Sequence, residues 1–163
     1  MKNSMQLKAI VKNMAKSKNI PAQIALQNYM LERLLERISL SRYQSNFILK
    51  GGFLVASMVG LDTRATMDMD ATIKGLKVNA ESISNMLNEI CAVEMNDEVI
   101  FSLRRIEEMR ESADYRGFRV ALEAMYPPIK VPLKVDITTG DIITLPIELH
   151  LERWISYRIN SRP

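Results

Sequence analysis

The hydrophobic pattern of this chain changes period near residue 99, and that change limits the folds it can adopt. Before this point apolar residues recur at helical spacing, and after it they alternate with polar residues. Alternation over about four to eight residues is typical of strands with one buried face, and such runs lie at 99–106, 117–125 and 133–138. In the last run the residues predicted to face the core are Leu133, Val135 and Ile137, with Lys134, Asp136 and Thr138 opposite. The chain is therefore predicted to build a sheet whose apolar face needs a cover of helices.

The part of the chain before residue 99 supplies those helices and two more strands. Helical spacing predicts helices over 3–16, from about 21 to 42, over 53–59 and over 80–91, and short apolar runs predict strands over 46–49 and 67–73. Asn19 is predicted to cap the second helix and Pro21 to begin it. The predicted solvated face of that helix is Glu32, Arg33, Glu36 and Arg37. Residues 107–116 and Pro132 are assigned to turns. This order predicts an α/β (α+β) fold class, with one mixed sheet backed by helices.

Composition sets broad limits on the class of protein. At 163 residues, with 47% hydrophobic and 25% charged residues, the chain is expected to form one globular domain. Its net charge of +3 permits a polyanionic partner without requiring one. Cys91 is the single cysteine, which fits a reducing cytoplasm. No apolar run approaches the length of a transmembrane helix, and the N-terminus lacks the apolar region of a signal peptide, so neither membrane insertion nor export is expected.

Two aspartates in the second predicted strand carry the strongest chemical signal. Asp68 and Asp70 lie two residues apart, so alternation puts both on one face, roughly 7 Å apart at Cα. Aspartate is disfavoured in strand interiors, although two solvated carboxylates on an edge strand would also explain it. Carboxylates at this spacing suit a pair of Mg²⁺ ions about 3.5–4 Å apart. The pair therefore predicts a metal site for phosphoryl chemistry.

A third carboxylate, Asp136, lies in an apolar strand where aspartate is again unusual. Beside Asp68 and Asp70 it would complete an oxygen-rich Mg²⁺ site, and it could also act as the base that activates an attacking hydroxyl. The alternative is a salt bridge to Lys134 or to an arginine on a neighbouring strand. Both interpretations remain open from the sequence.

A glycine pair upstream suggests phosphate binding. Gly51 and Gly52 end a predicted strand and open a predicted helix, where backbone amides favour a phosphate. The residues that flank the same site are Lys50, Arg64 and Thr66. Arg64 could clamp a phosphate, and Thr66 shares the predicted face of Asp68. A tight turn with structural hydrogen bonds would explain the same residues.

Taken together, these motifs resemble one known family. Leu49-Lys50-Gly51-Gly52-Phe53-Leu54 followed by Arg64-x-Thr66-x-Asp68-x-Asp70 looks like the nucleotidyltransferases of the AbiEii/AbiGii type, the toxin halves of abortive-infection and toxin–antitoxin pairs. Val135-Asp136-Ile137 and residues 140–144 look like that family's third-carboxylate region. The resemblance covers about residues 20–145.

The resemblance implies a polymerase-β-like nucleotidyltransferase core over 46–145, an N-terminal helical segment over 1–45 and a divergent tail over 146–163, all in one structural domain. It implies that Gly51 and Gly52 hold the triphosphate of an NTP, that Asp68 and Asp70 bind two Mg²⁺ ions, and that Asp136 is the third acid. The predicted partners are a tRNA or protein acceptor, a cognate antitoxin and further copies of the chain in a homo-oligomer. Gly52 stands where relatives often have Ser. The chain also ends before the downstream helical half in which members of the family resemble one another.

Two other functions fit parts of the sequence. Asp68-x-Asp70-x-Thr72 matches the motif of haloacid-dehalogenase-type phosphatases, in which the first aspartate is a nucleophile. That motif normally follows a long apolar strand, whereas residues 62–66 are polar, and no second acid pair follows. A degenerate nucleotide-binding or partner-binding module is the non-enzyme alternative, because the family's downstream half is missing.

Overall fold

One mixed sheet with helices on one face forms the described fold. The computed structural model describes residues 4–50, 68–112, 115–139 and 148–150. Within these ranges the helices are α1 (Ser4–Lys18), α2 (Ala22–Leu40) and α3 (Ala80–Cys91), with a short 3-10 turn at Gln44–Asn46. The strands are β1 (Phe47–Lys50), β2 (Asp68–Ile73), β3 (Ile100–Ser112), β4 (Tyr115–Tyr126), β5 (Ile129–Thr139) and β6 (Glu148–His150). The predicted helix at 53–59 and the loop at 62–66 lie outside the described residues.

The strand order is β3-β4-β5-β2-β1-β6, and it puts β2 in the interior of the sheet. The strands β3, β4 and β5 follow one another as an antiparallel meander. The β2 strand pairs parallel with β5 on one side and antiparallel with β1 on the other. Because parallel neighbours need a long crossover connection, β2 and β5 come from distant parts of the chain. The predicted α+β class, with one mixed sheet and helical cover, is confirmed.

The helices cover the apolar face of the sheet. The predicted alternation in β5 is confirmed, because Val131, Leu133, Val135 and Ile137 are all buried. The α2 helix packs on β5, α3 packs on β3, and α1 packs on the outer side of this layer against α2. Full burial of each large aliphatic side chain stabilises the fold by about 1.5–3 kcal/mol. The opposite face of β2 and β5 carries their polar residues.

The α3 helix begins and ends where its sequence predicts. Its N-terminus is closed by a capping box, in which the Asn79 side chain accepts from the Ser82 amide at 2.8 Å and the Ser82 hydroxyl accepts from the Asn79 amide at 2.9 Å. These two bonds satisfy amides that a helix start leaves without partners. Just before it, Gly75 has φ +79°, a conformation that glycine adopts without strain.

The predicted role of Asn19 as the cap of α2 is wrong. Asn19 has φ 52° and follows the last turn of α1, and the Ile20 amide donates to the Ala15 carbonyl at 3.0 Å. This is the bond pattern of a helix C-terminus closed by a left-handed residue, a position that asparagine tolerates. The α2 helix begins after Pro21 without a side-chain cap.

The β meander is longer than predicted. The segment 107–116 was assigned to a connection, but β3 runs to Ser112 and β4 begins at Tyr115. Pro132 was assigned to a turn, yet it lies within β5 opposite Glu123. Among the residues that the structure describes, Pro132 pairs with β4 alone, because the described part of β2 begins in register with Lys134. A proline has no amide hydrogen to donate, so a strand tolerates it where that hydrogen would have no acceptor.

Arg37 was predicted to face solvent, and it is buried. Its two terminal nitrogens donate to the Asp97 carboxylate at 2.8 and 2.7 Å, and one of them also donates to the Val99 carbonyl at 2.7 Å. The guanidinium stacks over the Phe101 ring at 4.8 Å from its centroid. Planar guanidinium with a full set of partners can be buried where lysine could not. Arg37 thereby ties α2 to the segment that leads into β3.

Burial raises the pKa of the Asp97 carboxyl, but its hydrogen bonds from Arg37 and from the Val99 amide, together with the Arg37 charge, outweigh burial. The net result is a pKa below the usual range of aspartate. The carboxylate is therefore more stable when charged in the folded chain than in the unfolded one.

Among the described helices, none combines the length and apolar character needed to cross a membrane.

Candidate functional site

Two of the predicted acidic residues lie side by side on neighbouring strands. Asp70 on β2 and Asp136 on β5 are register partners in the parallel pair. Register partners project from the same face of a sheet, so the two carboxylates share one surface. Asp68 begins β2, in register with Lys134. The structure thus brings Asp136 next to the strand that carries the Asp68-x-Asp70 motif, as the sequence predicts.

This surface is the face of the sheet opposite the helices. Met69, Val135 and Ile137, which alternate with the aspartates, are buried in the core. Asp70 is half-buried, and the Asp136 side chain is 20% exposed. One step along the same two strands, the hydroxyls of Thr72 and Thr138 are 3.0 Å apart. The strands thus present polar pairs on one face and apolar pairs on the other.

Arg119 on β4 contacts the Asp136 carboxylate with two nitrogens. Its Nε donates to Oδ1 at 3.0 Å and its Nη2 donates to Oδ2 at 3.3 Å. Arg119 is the register partner of Asp136 on the side away from Asp70, and its side chain is 45% exposed. The sequence interpretation allowed for an arginine on a neighbouring strand without naming it. The signal available was the alternation of Arg119 with the buried Phe118 and Val120.

The charges of this row determine what it can bind. By register, the row runs Glu107, Arg119, Asp136, Asp70, Lys50 and Glu148 across the six strands. Two like charges directly opposite each other destabilise a strand pair, so adjacent carboxylates favour a cation close to both. Carboxylate oxygens are the ligands that Mg²⁺ prefers. The donor set therefore fits a hard divalent cation.

The predicted metal-binding trio includes one side chain outside the described parts of the chain. Among the side chains that the structure describes, no three acidic, histidine or cysteine residues group closely enough to hold a metal ion. The side chain of Asp68, the third predicted ligand, is not among them. Asp68, Asp70 and Asp136 as metal ligands therefore stay a prediction.

The predicted phosphate-binding residues lie almost entirely beyond the described parts of the chain. Gly51, Gly52, Arg64 and Thr66 fall outside the described residues. The backbone of Lys50, the last residue of β1, is in register with Asp70. Their role in holding a triphosphate stays a prediction.

A separate cavity of ≈ 270 Å³ lies where α3 meets the end of β2. Its buried lining includes Tyr43, Ile73, Ile83 and Met86, and the cations Arg42 and Lys77 also border it. The lining contains no carboxylate, so this cavity is distinct from the surface of Asp70 and Asp136.

Comparison with solved structures gives two Helicobacter pylori proteins. The protein JHP933 is 19% identical, and the match covers 72% of this chain and 46% of that chain with a TM-score of 0.44. A second protein, named as a candidate nucleotidyltransferase, is 18% identical and is matched over 82% of this chain and 57% of that chain, also with a TM-score of 0.44. The chain thus spans about half the length of these proteins. Among curated proteins, no sequence matches it.

A family sequence profile matches residues 33–155, which is most of the chain and extends past β6. That family is described as the nucleotidyl transferase AbiEii toxin of type IV toxin–antitoxin systems. The matched range contains the strands of Asp70, Asp136 and Arg119. The chain belongs to the AbiEii nucleotidyl transferase toxin family.

Proposed function

We propose that this protein transfers a nucleotidyl group from an NTP to a hydroxyl on an RNA, with tRNA as the first acceptor to test and a protein hydroxyl as the second. The observation that carries the proposal is the register pairing of Asp70 with Asp136 in a chain of a nucleotidyl transferase family. Family membership supports the reaction class. The identity of the nucleotide, the acceptor and the metal requirement are proposed.

In this reaction the acceptor oxygen bonds to the α-phosphorus of the NTP, and the bond from that phosphorus to the β-phosphate oxygen breaks. Pyrophosphate leaves with the electron pair, and the acceptor proton passes to a carboxylate oxygen of Asp136. A carboxylate has about four lone-pair sites, so Asp136 can accept this proton while Arg119 holds it. Arg119 fixes the direction of the carboxylate, which favours transfer along one line.

Asp68, Asp70 and Asp136 are the residues that would hold two Mg²⁺ ions, which supply charge stabilisation for in-line displacement at phosphorus. The residues proposed to hold the triphosphate are Lys50, Gly51, Gly52, Arg64 and Thr66. The two groups would meet at the β1–β2 pair, because Lys50 is in register with Asp70.

The decisive experiment incubates the protein with each α-³²P-labelled NTP, Mg²⁺ and total tRNA, and follows the label into RNA and into protein. We expect labelled tRNA from the wild type and none from Asp68→Ala with Asp70→Ala. Glu94→Gln, an exposed acid in the segment between α3 and β3, is the matched control and should label tRNA as the wild type does. Label in protein instead of tRNA would show that the acceptor is a protein hydroxyl and not an RNA hydroxyl.

Two outcomes would support the alternatives. Hydrolysis of p-nitrophenyl phosphate without NTP, lost in Asp68→Ala, would support the phosphatase interpretation and contradict ours. NTP binding without transfer, unchanged in Asp68→Ala with Asp70→Ala, would support a degenerate binding module. Within the described ranges of the chain, no contact favours either alternative.

We also propose a cognate antitoxin as partner, because the family belongs to type IV toxin–antitoxin systems. Co-expression with a candidate antitoxin tests this proposal, because the antitoxin should relieve any growth arrest that the wild type causes. Expression of variants without the antitoxin tests the origin of that arrest. Growth arrest on expression of the wild type, relieved by Asp136→Asn and not by Glu94→Gln, would link toxicity to the carboxylate surface. Growth that is equally poor with Asp136→Asn would show that toxicity does not depend on that surface.

A further inference from the structure

We propose that Arg119 competes with the divalent cation for Asp136 and so sets the metal affinity of the site. This inference rests on the proposed function, because it takes Asp70 and Asp136 as metal ligands. Arg119 would then be a positioning residue with an electrostatic role, and it would not touch the reacting atoms.

The first observation is that Arg119 engages both oxygens of Asp136, at 3.0 and 3.3 Å. Any cation that binds Asp136 must share these oxygens with the guanidinium or displace it from one of them. Sharing is allowed by the lone pairs of a carboxylate, but a second positive charge beside the first is repelled. The guanidinium thus occupies, in part, the place of a metal ion.

The second observation is the order of charges along the row. Arg119 lies between two acidic register partners, Glu107 on β3 and Asp136 on β5. Glu107 is itself paired with Arg105 at 3.0 Å, and its side chain is 49% exposed. A guanidinium released from one oxygen of Asp136 therefore remains next to another carboxylate. This arrangement lets Arg119 yield to a cation without being left unpaired.

The third observation is exposure. The Arg119 side chain is 45% exposed and the Asp136 side chain 20% exposed. Water therefore partly screens the attraction between Arg119 and Asp136, which allows a metal ion to replace the guanidinium at Asp136. A fully buried pair such as Arg37 and Asp97 would resist this exchange.

The test measures binding of Mn²⁺ alone, without nucleotide, by electron paramagnetic resonance of the free ion. Removing a unit charge several ångströms from a divalent ion at a screened surface is expected to tighten binding about three- to tenfold. We therefore expect Arg119→Gln to bind Mn²⁺ about three- to tenfold more tightly than the wild type. Arg119→Lys, which keeps the charge, should stay within about twofold of the wild type.

Arg104→Gln is the matched control. Arg104 has the same charge, lies on the neighbouring strand β3 and is also ion-paired, but its partner is Glu123, at 2.6 Å, rather than Asp136 or Glu107. We expect its Mn²⁺ affinity to change less than twofold. Equal tightening in Arg104→Gln and Arg119→Gln would mean that net charge alone sets the affinity, and would overturn the inference.

The inference and the proposed function fail in different ways. Mn²⁺ binding that is the same in wild type and Arg119→Gln, but lost in Asp70→Asn with Asp136→Asn, overturns the role of Arg119 and keeps the metal site. Binding that is absent from every variant, or unchanged in the double aspartate variant, overturns the metal site itself. Far-ultraviolet circular dichroism of each variant checks that the fold is retained.

Discussion

Asp70 and Asp136 lie side by side, in register, on the parallel strands β2 and β5, and Arg119 on β4 binds Asp136 from the other side. Like charges at adjacent register positions oppose the pairing of their strands. Arg119 offsets the charge of Asp136 in the structure, and the proposed divalent cation would lie close to both carboxylates.

Divalent cations should therefore stabilise the fold. At ten times the dissociation constant, Mg²⁺ or Mn²⁺ contributes about 1.4 kcal/mol. For a chain of this size we expect a rise in melting temperature of about 3–6 °C. Differential scanning fluorimetry in chelator and in excess Mg²⁺ measures it. Asp70→Asn with Asp136→Asn should abolish the rise and Glu94→Gln should keep it, and an equal rise in the double variant would show that the cation binds elsewhere.

Breaking the buried ion pair should be costly. Arg37→Met leaves the Asp97 carboxylate buried without its charged partner, and we expect a loss of about 3–5 kcal/mol in the free energy of unfolding. Urea unfolding measures this loss. Arg42→Met is the matched control, because the Arg42–Glu89 pair is exposed, with side chains 71% and 47% exposed, and its loss should change the free energy of unfolding much less. Similar losses in the two variants would contradict the structural role assigned to Arg37.

The same pair predicts how stability depends on pH. The pKa of Asp97 is lowered by folding, so its contribution to stability is fully present above the unfolded value of about 3.9. That contribution is lost as the pH falls through the lower, folded pKa. We expect the stability difference between wild type and Asp97→Asn to be constant from about pH 6 to 5 and to shrink below about pH 4. A difference that grows on acidification would contradict the sign of the shift.

The thiol of Cys91 should react slowly. Burial raises the pKa of Cys91 to about 11, against a smaller opposing effect of the Arg37 charge. At pH 8 only about one thiol in a thousand is then ionised, and the thiolate is the reactive species. We expect alkylation by iodoacetamide to be about a hundredfold slower in the native protein than in urea. Equal rates in the two conditions would show that Cys91 is accessible and ionised in the fold.

The elements that were predicted well are those whose signals are local. The α3 helix has an amphipathic pattern and its own cap at Asn79 and Ser82, so its limits can be found from adjacent residues alone. The alternation of Val135, Asp136 and Ile137 likewise shows which side of β5 is buried. That alternation predicts the polar face for both Asp70 and Asp136, while their grouping was an expectation from the family resemblance and their register pairing comes from the structure.

The features that were missed depend on partners that are distant in sequence. Arg37 looks like a surface residue until Asp97 and Val99 are brought to it by the packing of α2. Pro132 looks like a turn residue until its pairing with Glu123 on β4 shows that it lies within a strand. Arg119 could not be chosen from the other arginines, because strand alternation gives the face of a residue and not its register partner.

The placement of β2 also has a consequence for the chain as it is synthesised. The two acids that face each other are encoded far apart, and β5 leaves the ribosome long after β2. Until then Asp70 has no carboxylate in register with it on β1, which has Lys50 at that position. A chain that is released early, or cut between the two strands, therefore lacks the pairing of Asp70 with Asp136 on which the proposed site rests.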